Sequence, residues 1–334
     1  MSKKKKILYA VLNWGLGHGT RSLPVIRQLV KDNDVIILST GRTLELLKSE
    51  IKNAEFVDHP DYSVKYTKKG WSLLFSLASQ IPRILLKLRE EHKLTEKLVR
   101  EMKIDRVVSD NRYGIFSKEI PSYFITHQLR FRLPGKLRFL EILSIVFNKY
   151  YFRNYRKIFV PDQEGEENLS GRLSHDVPFM KSLKIGYCGI LADISEKVGE
   201  IPSDFLFIIS GPEPQRTIFE RKILEQSKEL EGKIIIVRGI TEAKEVTVDG
   251  NREIYSSVER DKLSAMIRGA GVIISRPGYS SVMEFVSLKK KAFFIPTPGQ
   301  TEQEYLAQYY KAKNYFNFTS QDKMDIGKDI KNIF

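Results

Sequence analysis

The sequence predicts an α/β protein of two doubly wound parallel-sheet domains facing one another across a cleft. Three observations lead there. Short apolar runs alternate with helical patterns almost throughout, as parallel strands joined by crossover helices require. The alternation lapses once, over about 165–182, and then restarts. The chain's 334 residues are too many for one compact core but suit two. The expected division is an N-terminal domain over 1–165, a linker over 166–182 and a C-terminal domain over 183–334.

In the first domain KILYAVL (6–12), DVIILS (34–39), AEFVD (54–58), DRVVSD (105–110), SYFITH (122–127) and KIFVP (157–161) read as strands, with helical segments between most of them. The stretch GEENLSGRLSHDVPFMKS is polar, punctuated by Gly and Pro and weakly periodic, which suits an interdomain connection. In the second domain DFLFIIS (204–210), KIIIVR (233–238), GVIIS (271–275) and KAFFIP (291–296) are strands of the buried kind. EVTVDGNREIYSSV (245–258) is less regular, with Asp249-Gly250 as a turn signal.

Composition narrows the function. With 55 Lys and Arg against 41 Asp and Glu, the net charge of +14 favours phosphorylated ligands, anionic lipid surfaces or nucleic acid. Charge alone does not choose among them, but no RNP-like, zinc-finger or contiguous basic and aromatic pattern supports nucleic acid. The single cysteine, Cys188, rules out an intrachain disulfide framework and points to a reducing, cytoplasmic setting. MSKKKKILYAVLNWG resembles a leader only superficially: its apolar run ends at Asn13 without a small-residue cleavage site, so it is expected to be the first strand. No uncharged apolar stretch approaches the ~18–20 residues that cross a bilayer.

Open parallel sheets bind ligands beyond the carboxyl ends of their strands. After the first strand comes NWGLGHGTRS (13–22), with three glycines and a histidine in five positions. It is not a dinucleotide fingerprint, because Thr20 stands at the third glycine position and the second strand closes on Ser39-Thr40 without an acidic residue. Nor does Gly-Lys-Ser/Thr occur. What remains is a turn that admits close approach to the backbone, with His18 at the mouth of a helix; the alternative is that the glycines relieve crowding and His18 caps.

In SRPGYSSVMEF (275–285), Pro277-Gly278 forces a turn and Ser280 and Ser281 open a helix. Such a helix end binds anions, phosphate above all. Glu284 on its first or second turn could accept two hydrogen bonds from a ribose diol. A surface cap with Glu284 favourable to the dipole is the alternative. The next loop, PTPGQTEQE (296–304), adds Thr301, Glu302, Gln303 and Glu304, amides and carboxylates suited to a sugar or, equally, a polar helix start.

GLGHGTRSLPVIRQL, SGPEPQR (210–216) and SRPGYSSVMEFVSLKKKAFFIPTPGQTEQEYLAQ together resemble the GT-B nucleotide-sugar glycosyltransferases, the MurG-type N-acetylglucosaminyltransferases and their relatives most of all. The last stretch is the specific one. The resemblance implies a nucleotide-sugar co-substrate, UDP-linked, held by the second domain, and no other cofactor. Ser210 and Gly211 match the family's diphosphate-contacting loop; Gly278, Ser280 and Ser281 match its phosphate-binding helix start; Glu284 matches its ribose-binding glutamate. Gln303 matches a glutamine on the donor sugar, whereas Glu304 stands where that group has a second glutamine. Gly17, Arg276 and Thr301 are counted with the donor site. His18 falls on the histidine of the glycine turn, and THQ (126–128) resembles the acceptor-side loop, which brings in His127 and Gln128, with Asn111 beside them.

Such chemistry needs stabilisation of a departing diphosphate and a base for the incoming hydroxyl. Helix amides can supply the first. His18, with an ordinary pKa near 6.5, could supply the second. Asp110 is the rival base; its other role is to orient Asn111 and Arg112 or cap the next helix. No Asp-x-Asp or His-rich cluster suggests a metal, so transfer is expected to be metal-independent.

WSLLFSLASQIPRILLKLREEHK (71–93) and LRFLEILSIVFNKYYFRNYRK (137–157) combine broad apolar faces with Lys and Arg. They suit either a membrane interface or burial against the sheet. The resembled family acts on lipid-linked acceptors at a membrane face, which implies peripheral attachment. Two further function classes stay open. GLGH..R is shared with nucleotide-sugar hydrolases of the same architecture, in which water replaces the acceptor, and a non-enzymatic nucleic-acid binder rests on charge alone.

Overall fold

The computed structural model describes residues 4–62, 70–133, 135–240 and 243–331, without the side chains of 70–78, 136 and 331. The chain divides into two compact units, Met1–Asp193 and Ile194–Phe334.

The first unit runs β1 (Lys6–Val11), α1 (Gly17–Asp32), β2 (Asp34–Ser39), α2 (Gly41–Glu50), β3 (Glu55–Asp58), α3 (Gly70–Met102), β4 (Arg106–Asp110), β5 (Ser122–Ile125), a 3-10 turn (Gly135–Leu140), α4 (Glu141–Phe152), β6 (Lys157–Val160) and β7 (Ile185–Tyr187). Its sheet order is β3-β2-β1-β4-β5-β6-β7, and every pairing is parallel. Because strand side chains alternate between faces, β1 sends Tyr9 and Val11 into one core cluster and Leu8 and Ala10 into the other. A strand buried on both faces reads as a continuous apolar run, which is why the sequence reveals it so plainly.

The second unit runs β8 (Ser203–Ile208), α5 (Gln215–Gln226), β9 (Ile234–Val237), β10 (Val246–Asp249), β11 (Arg252–Tyr255), α6 (Arg260–Gly269), β12 (Ala270–Ser275), α7 (Tyr279–Ser287), β13 (Lys291–Phe294), α8 (Thr301–Ala312), β14 (Asn317–Phe318) and α9 (Ile326–Lys331). Its order is β10-β11-β9-β8-β12-β13-β14. Without β10, the antiparallel partner of β11, this is the 3-2-1-4-5-6 arrangement of the first unit over again. Gly250 at the hairpin has φ of +60°, the left-handed conformation a tight turn asks of glycine.

The expected strands are present, and the unit boundary differs from the linker expected over 166–182. Asp162, fully buried after β6, draws that segment back onto the first sheet. It accepts from the amides of Leu169 and Ser170 at 2.8 Å each, and from His175 Nε2 at 3.1 Å. The chain then adds β7 beside β6, so residues 183–193 also belong to the first unit. A polar, Gly-rich stretch can be a pinned loop as readily as a linker; one buried carboxylate decides.

Candidate active site

In both sheets the strand order reverses beside the first strand, between β1 and β4 in one and between β8 and β12 in the other. A doubly wound sheet opens a crevice for ligands at that point, outside the carboxyl ends of the strands. The predicted residues gather there.

In the first unit, His18 lies in the first turn of α1 and Asp110 ends β4, paired in register with Val11. His18 Nδ1 is 2.8 Å from Asp110 Oδ1. Three and four residues on, Arg21 and Ser22 share the helix face of His18. Arg21 Nε donates to Asp110 Oδ2 at 2.8 Å while its Nη2 donates to Oδ1, and Ser22 Oγ donates to Oδ2 at 3.1 Å. Burial works against ionisation of Asp110, but Arg21 and His18 outweigh it and hold the carboxyl well below the usual range. Burial first and the Arg21 charge second lower the pKa of His18 below 6.5, against the pull of Asp110.

Asp110 is fully buried, with both oxygens occupied. One of those oxygens faces the His18 ring, and neither is left open. Asp110 does not orient Arg112, whose Nε donates instead to Glu91 Oε1 on α3 at 2.8 Å. His127, beyond β5, accepts at Nδ1 from Arg21 Nη1 at 2.8 Å, and the Gln128 amide lies 3.4 Å from its Nε2. Asn111 adopts φ of +58°, and its Oδ1 is buried without a partner.

The glycine turn divides its work. Gly15 has φ of +71°, and a Cβ on Gly19 would stand 3.1 Å from Leu46 and 3.2 Å from Thr43, so two of its glycines serve the turn and the packing of α1 on α2. Gly17 lies between them, at the first position of α1.

In the second unit Ser210 and Gly211 follow β8 and are exposed. Gly211 has φ of +120°, and a Cβ there would stand 3.5 Å from Thr297 Oγ1 and 4.0 Å from Arg276 Nε. Both of those atoms are buried without a partner. Beyond β12, Gly278 caps α7 in extended conformation with no side-chain cap bond. The amides of Ser280 and Ser281 in the first turn have no acceptor within the helix.

Arg276 is placed differently from the expectation of a direct ligand contact. Its Nη1 donates to the carbonyls of Ile295 at 2.7 Å and Pro296 at 3.0 Å, its Nη2 donates to Gln215 O and Gln321 Oε1, and the guanidinium stacks on Phe219. Burial pushes its pKa down to about 9. It therefore braces the loops from beneath, with Nε alone directed toward Gly211. Glu284 is buried and paired with Arg260 of α6. At the start of α8, Thr301 occupies the first helical position; Gln303 Oε1 accepts from Thr297 N at 2.8 Å, and Glu304 Oε1 accepts from Gly299 N at 2.9 Å. Gly239, beyond β9, has φ of +71° and would press a Cβ to 2.6 Å from Ile209 O.

Sequence reasoning missed Arg21, Arg260 and Thr297. Arg21 was findable, since it lies one helical turn from His18; Arg260 meets Glu284, and Thr297 Oγ1 approaches Gly211, only through tertiary folding. Among the described residues no group of three or more His, Cys, Asp or Glu could hold a metal ion, and no helix is long and apolar enough to cross a membrane.

Comparison with known proteins follows the same division. Residues 205–332 match the glycosyltransferase family 28 C-terminal domain, and residues 5–125 match glycosyl transferase family 1. An uncharacterized glycosyltransferase of Methanosarcina acetivorans is 25% identical over 338 aligned positions, covering 93% of this chain and 84% of its own. One of Methanosarcina mazei is 24% identical with the same coverage. Among solved structures, the kitacinnamycin glycotransferase superposes with a TM-score of 0.68 at 15% identity, covering 99% of this chain and 91% of its own. UGT2 of Phytolacca americana, in complex with UDP-2-fluoroglucose and pterostilbene, gives 0.63 at 13%, covering 99% and 90%. MurG of Acinetobacter baumannii gives 0.54 at 15%, covering 96% and 87%. Each family match falls within one of the two units, and the glycosyltransferase relatives run nearly the whole length: the chain is a glycosyltransferase of the GT-B fold.

Proposed function

We propose that this enzyme moves a sugar from a UDP-linked donor to a hydroxyl on a lipid-linked acceptor, without a metal ion. The observation that carries the reading is the His18–Asp110 pair at the first switch point. A carboxylate that accepts a hydrogen bond from Nδ1–H leaves the Nε2 lone pair as a base for a hydroxyl, and the lowered pKa keeps it unprotonated at neutral pH.

On the donor, the amides of Gly211, Ser280 and Ser281 with Thr297 Oγ1 serve the diphosphate. Preorganised dipoles of this kind stabilise a leaving dianion without a divalent ion. Glu284, held by Arg260, serves as an acceptor for the ribose diol. Gln303, its Oε1 committed to Thr297, offers its amide N–H groups to the sugar beside Thr301. UDP is supported by the nucleotide in the Phytolacca complex. Asn111, His127 and Gln128 serve the acceptor. The relatives' glycosyltransferase names favour transfer over hydrolysis or nucleic-acid binding.

The membrane side of the proposal rests on exposed apolar residues. Phe139, Ile142, Leu143, Val146 and Tyr150 follow helical spacing on the 3-10 turn and α4, with Arg138 and Arg153 exposed at either end. Ile81, Leu85 and Leu86 on α3 are exposed beside Arg83 and Arg89; the earlier side chains of the expected 71–93 face, 71–78, lie outside the described residues. Apolar residues set among arginines suit an anionic interface.

The test supplies UDP-sugars and a lipid-linked hydroxyl acceptor in anionic vesicles at low salt, with EDTA throughout. Glycolipid should form, and the enzyme should float with the vesicles. Product that appears only after a divalent ion is restored, free sugar released as fast without acceptor, or enzyme left in the bottom fraction would each remove the corresponding part.

A further inference from the structure

Resting on that reading, we propose that Arg276, without touching the ligand, supplies the buried counter-charge for the donor's diphosphate from beneath the binding loops. The fold puts it where those loops meet. In the second sheet β8, β12 and β13 are neighbours, and the groups assigned to the diphosphate stand on the loops that follow them: Gly211 after β8, Ser280 and Ser281 after β12, Thr297 after β13. Arg276 directly follows β12 and bonds to both flanking loops. Its Nη2 donates to Gln215 O at 3.3 Å, and its Nη1 donates to Ile295 O at 2.7 Å and Pro296 O at 3.0 Å. Its Nε lies 4.0 Å from where a Cβ on Gly211 would stand, and is buried without a partner.

A buried arginine ordinarily has a carboxylate beside it. Arg276 is 2% exposed, yet everything it touches is neutral: three carbonyls, the Gln321 side-chain oxygen and the Phe219 ring. Among the described residues it forms no ion pair. Of the carboxylates on these loops, Glu213 pairs with Arg216, Glu284 with Arg260, and Glu304 accepts from Gly299 N. Burial lowers the pKa of Arg276 only to about 9, so the charge is kept at neutral pH. A cation taken out of water with no counter-ion is costly, and an anion seated on the loops above it offsets that cost.

The same charge bears on the transfer step. Breaking the bond between the sugar carbon and the diphosphate oxygen leaves the electron pair, and one further negative charge, on that oxygen. A fixed cation held away from water therefore favours the departing diphosphate over the intact donor. Its field crosses a protein interior with little screening, so contact is not required. The exposed lysines and arginines of a chain of net charge +14 act differently, because salt screens them.

Calorimetric titration of the full chain with pyrophosphate, UDP and uridine tests this. Wild type should bind pyrophosphate alone. Arg276→Gln should weaken pyrophosphate and UDP by about tenfold or more and uridine by no more than about twofold. Arg276→Lys, which keeps the charge and loses the planar fork, should bind pyrophosphate within about threefold of wild type. Raising NaCl from about 0.1 to about 0.5 M should cost wild type less than about threefold in pyrophosphate affinity, whereas binding to the basic surface would fall far more. A wild type that does not take pyrophosphate, or an Arg276→Gln protein that takes it equally well, would overturn the proposal. So would equal losses of UDP and uridine, since a mere brace for the loops fails every ligand alike. Should Arg276→Gln not fold, Arg276→Lys and the salt dependence decide, and a steep salt dependence or a Lys variant that loses tenfold counts against. Pyrophosphate bound while UDP is refused would sink the nucleotide reading and leave this one standing.

Discussion

Replacing His18 with alanine is expected to lower turnover by about 10²–10⁴-fold, the usual contribution of a positioned general base. At about 1.4 kcal/mol per tenfold, that is a loss of roughly 3–5.5 kcal/mol of transition-state stabilisation. UDP affinity, measured by calorimetry, should be nearly unchanged, because the donor loops belong to the second unit. The fold should survive, since the His18 side chain is 12% exposed and Asp110 keeps Arg21 and Ser22. Turnover equal to wild type would take the role from His18. Asp110 could not readily inherit it: a carboxylate held this acidic by Arg21 is a poor base at neutral pH.

The largest stability effect is expected at Glu91→Ala. Glu91 and Arg112 are almost wholly buried, with Arg112 Nη2 2.7 Å from Glu91 Oε1. Glu91 Oε2 also accepts from Gly114 N at 3.1 Å, and Arg112 donates to the carbonyls of His59 and Pro60. Removing one partner of a buried pair leaves the other charge uncompensated, at a typical cost of about 3–5 kcal/mol. For a unit of this size, each kcal/mol lowers Tm by about 2–4 °C. A fall of about 10 °C in a thermal melt is therefore the expected result; a fall of only a degree or two would mean that the carbonyls suffice for Arg112. The pair fastens α3 to the loop after β4, where a Cβ on Gly114 would stand 2.3 Å from Leu88 O. That loop begins at Asn111, beside Asp110.

Much of the architecture was legible because buried parallel strands announce themselves. IIIV of β9 and GVIIS of β12 leave little room for another assignment, and the loops that follow such strands are where ligands bind. β7 (IGY) and β14 (NF) were not legible, being two- and three-residue strands with no apolar run and defined by their neighbours. The boundary near 193 was missed because Asp162 looks like any loop aspartate until its buried bonds to 169, 170 and 175 are seen. At the site, His18 and Asp110 were each visible as candidates in the loops after strands, but the contact between them was not. A sequence does not say that Arg21 turns toward Asp110 or that Arg276 donates to the carbonyls of Ile295 and Pro296. Those outcomes follow from which buried polar atoms had no other partner.

The most direct measurement is a crystal structure with UDP bound. The account predicts the pyrophosphate against the amides of Ser280 and Ser281 and the Gly211 backbone, within reach of Thr297 Oγ1, with the ribose hydroxyls on Glu284. A nucleotide bound elsewhere, or that corner filled by the protein's own side chains with UDP present, would contradict it.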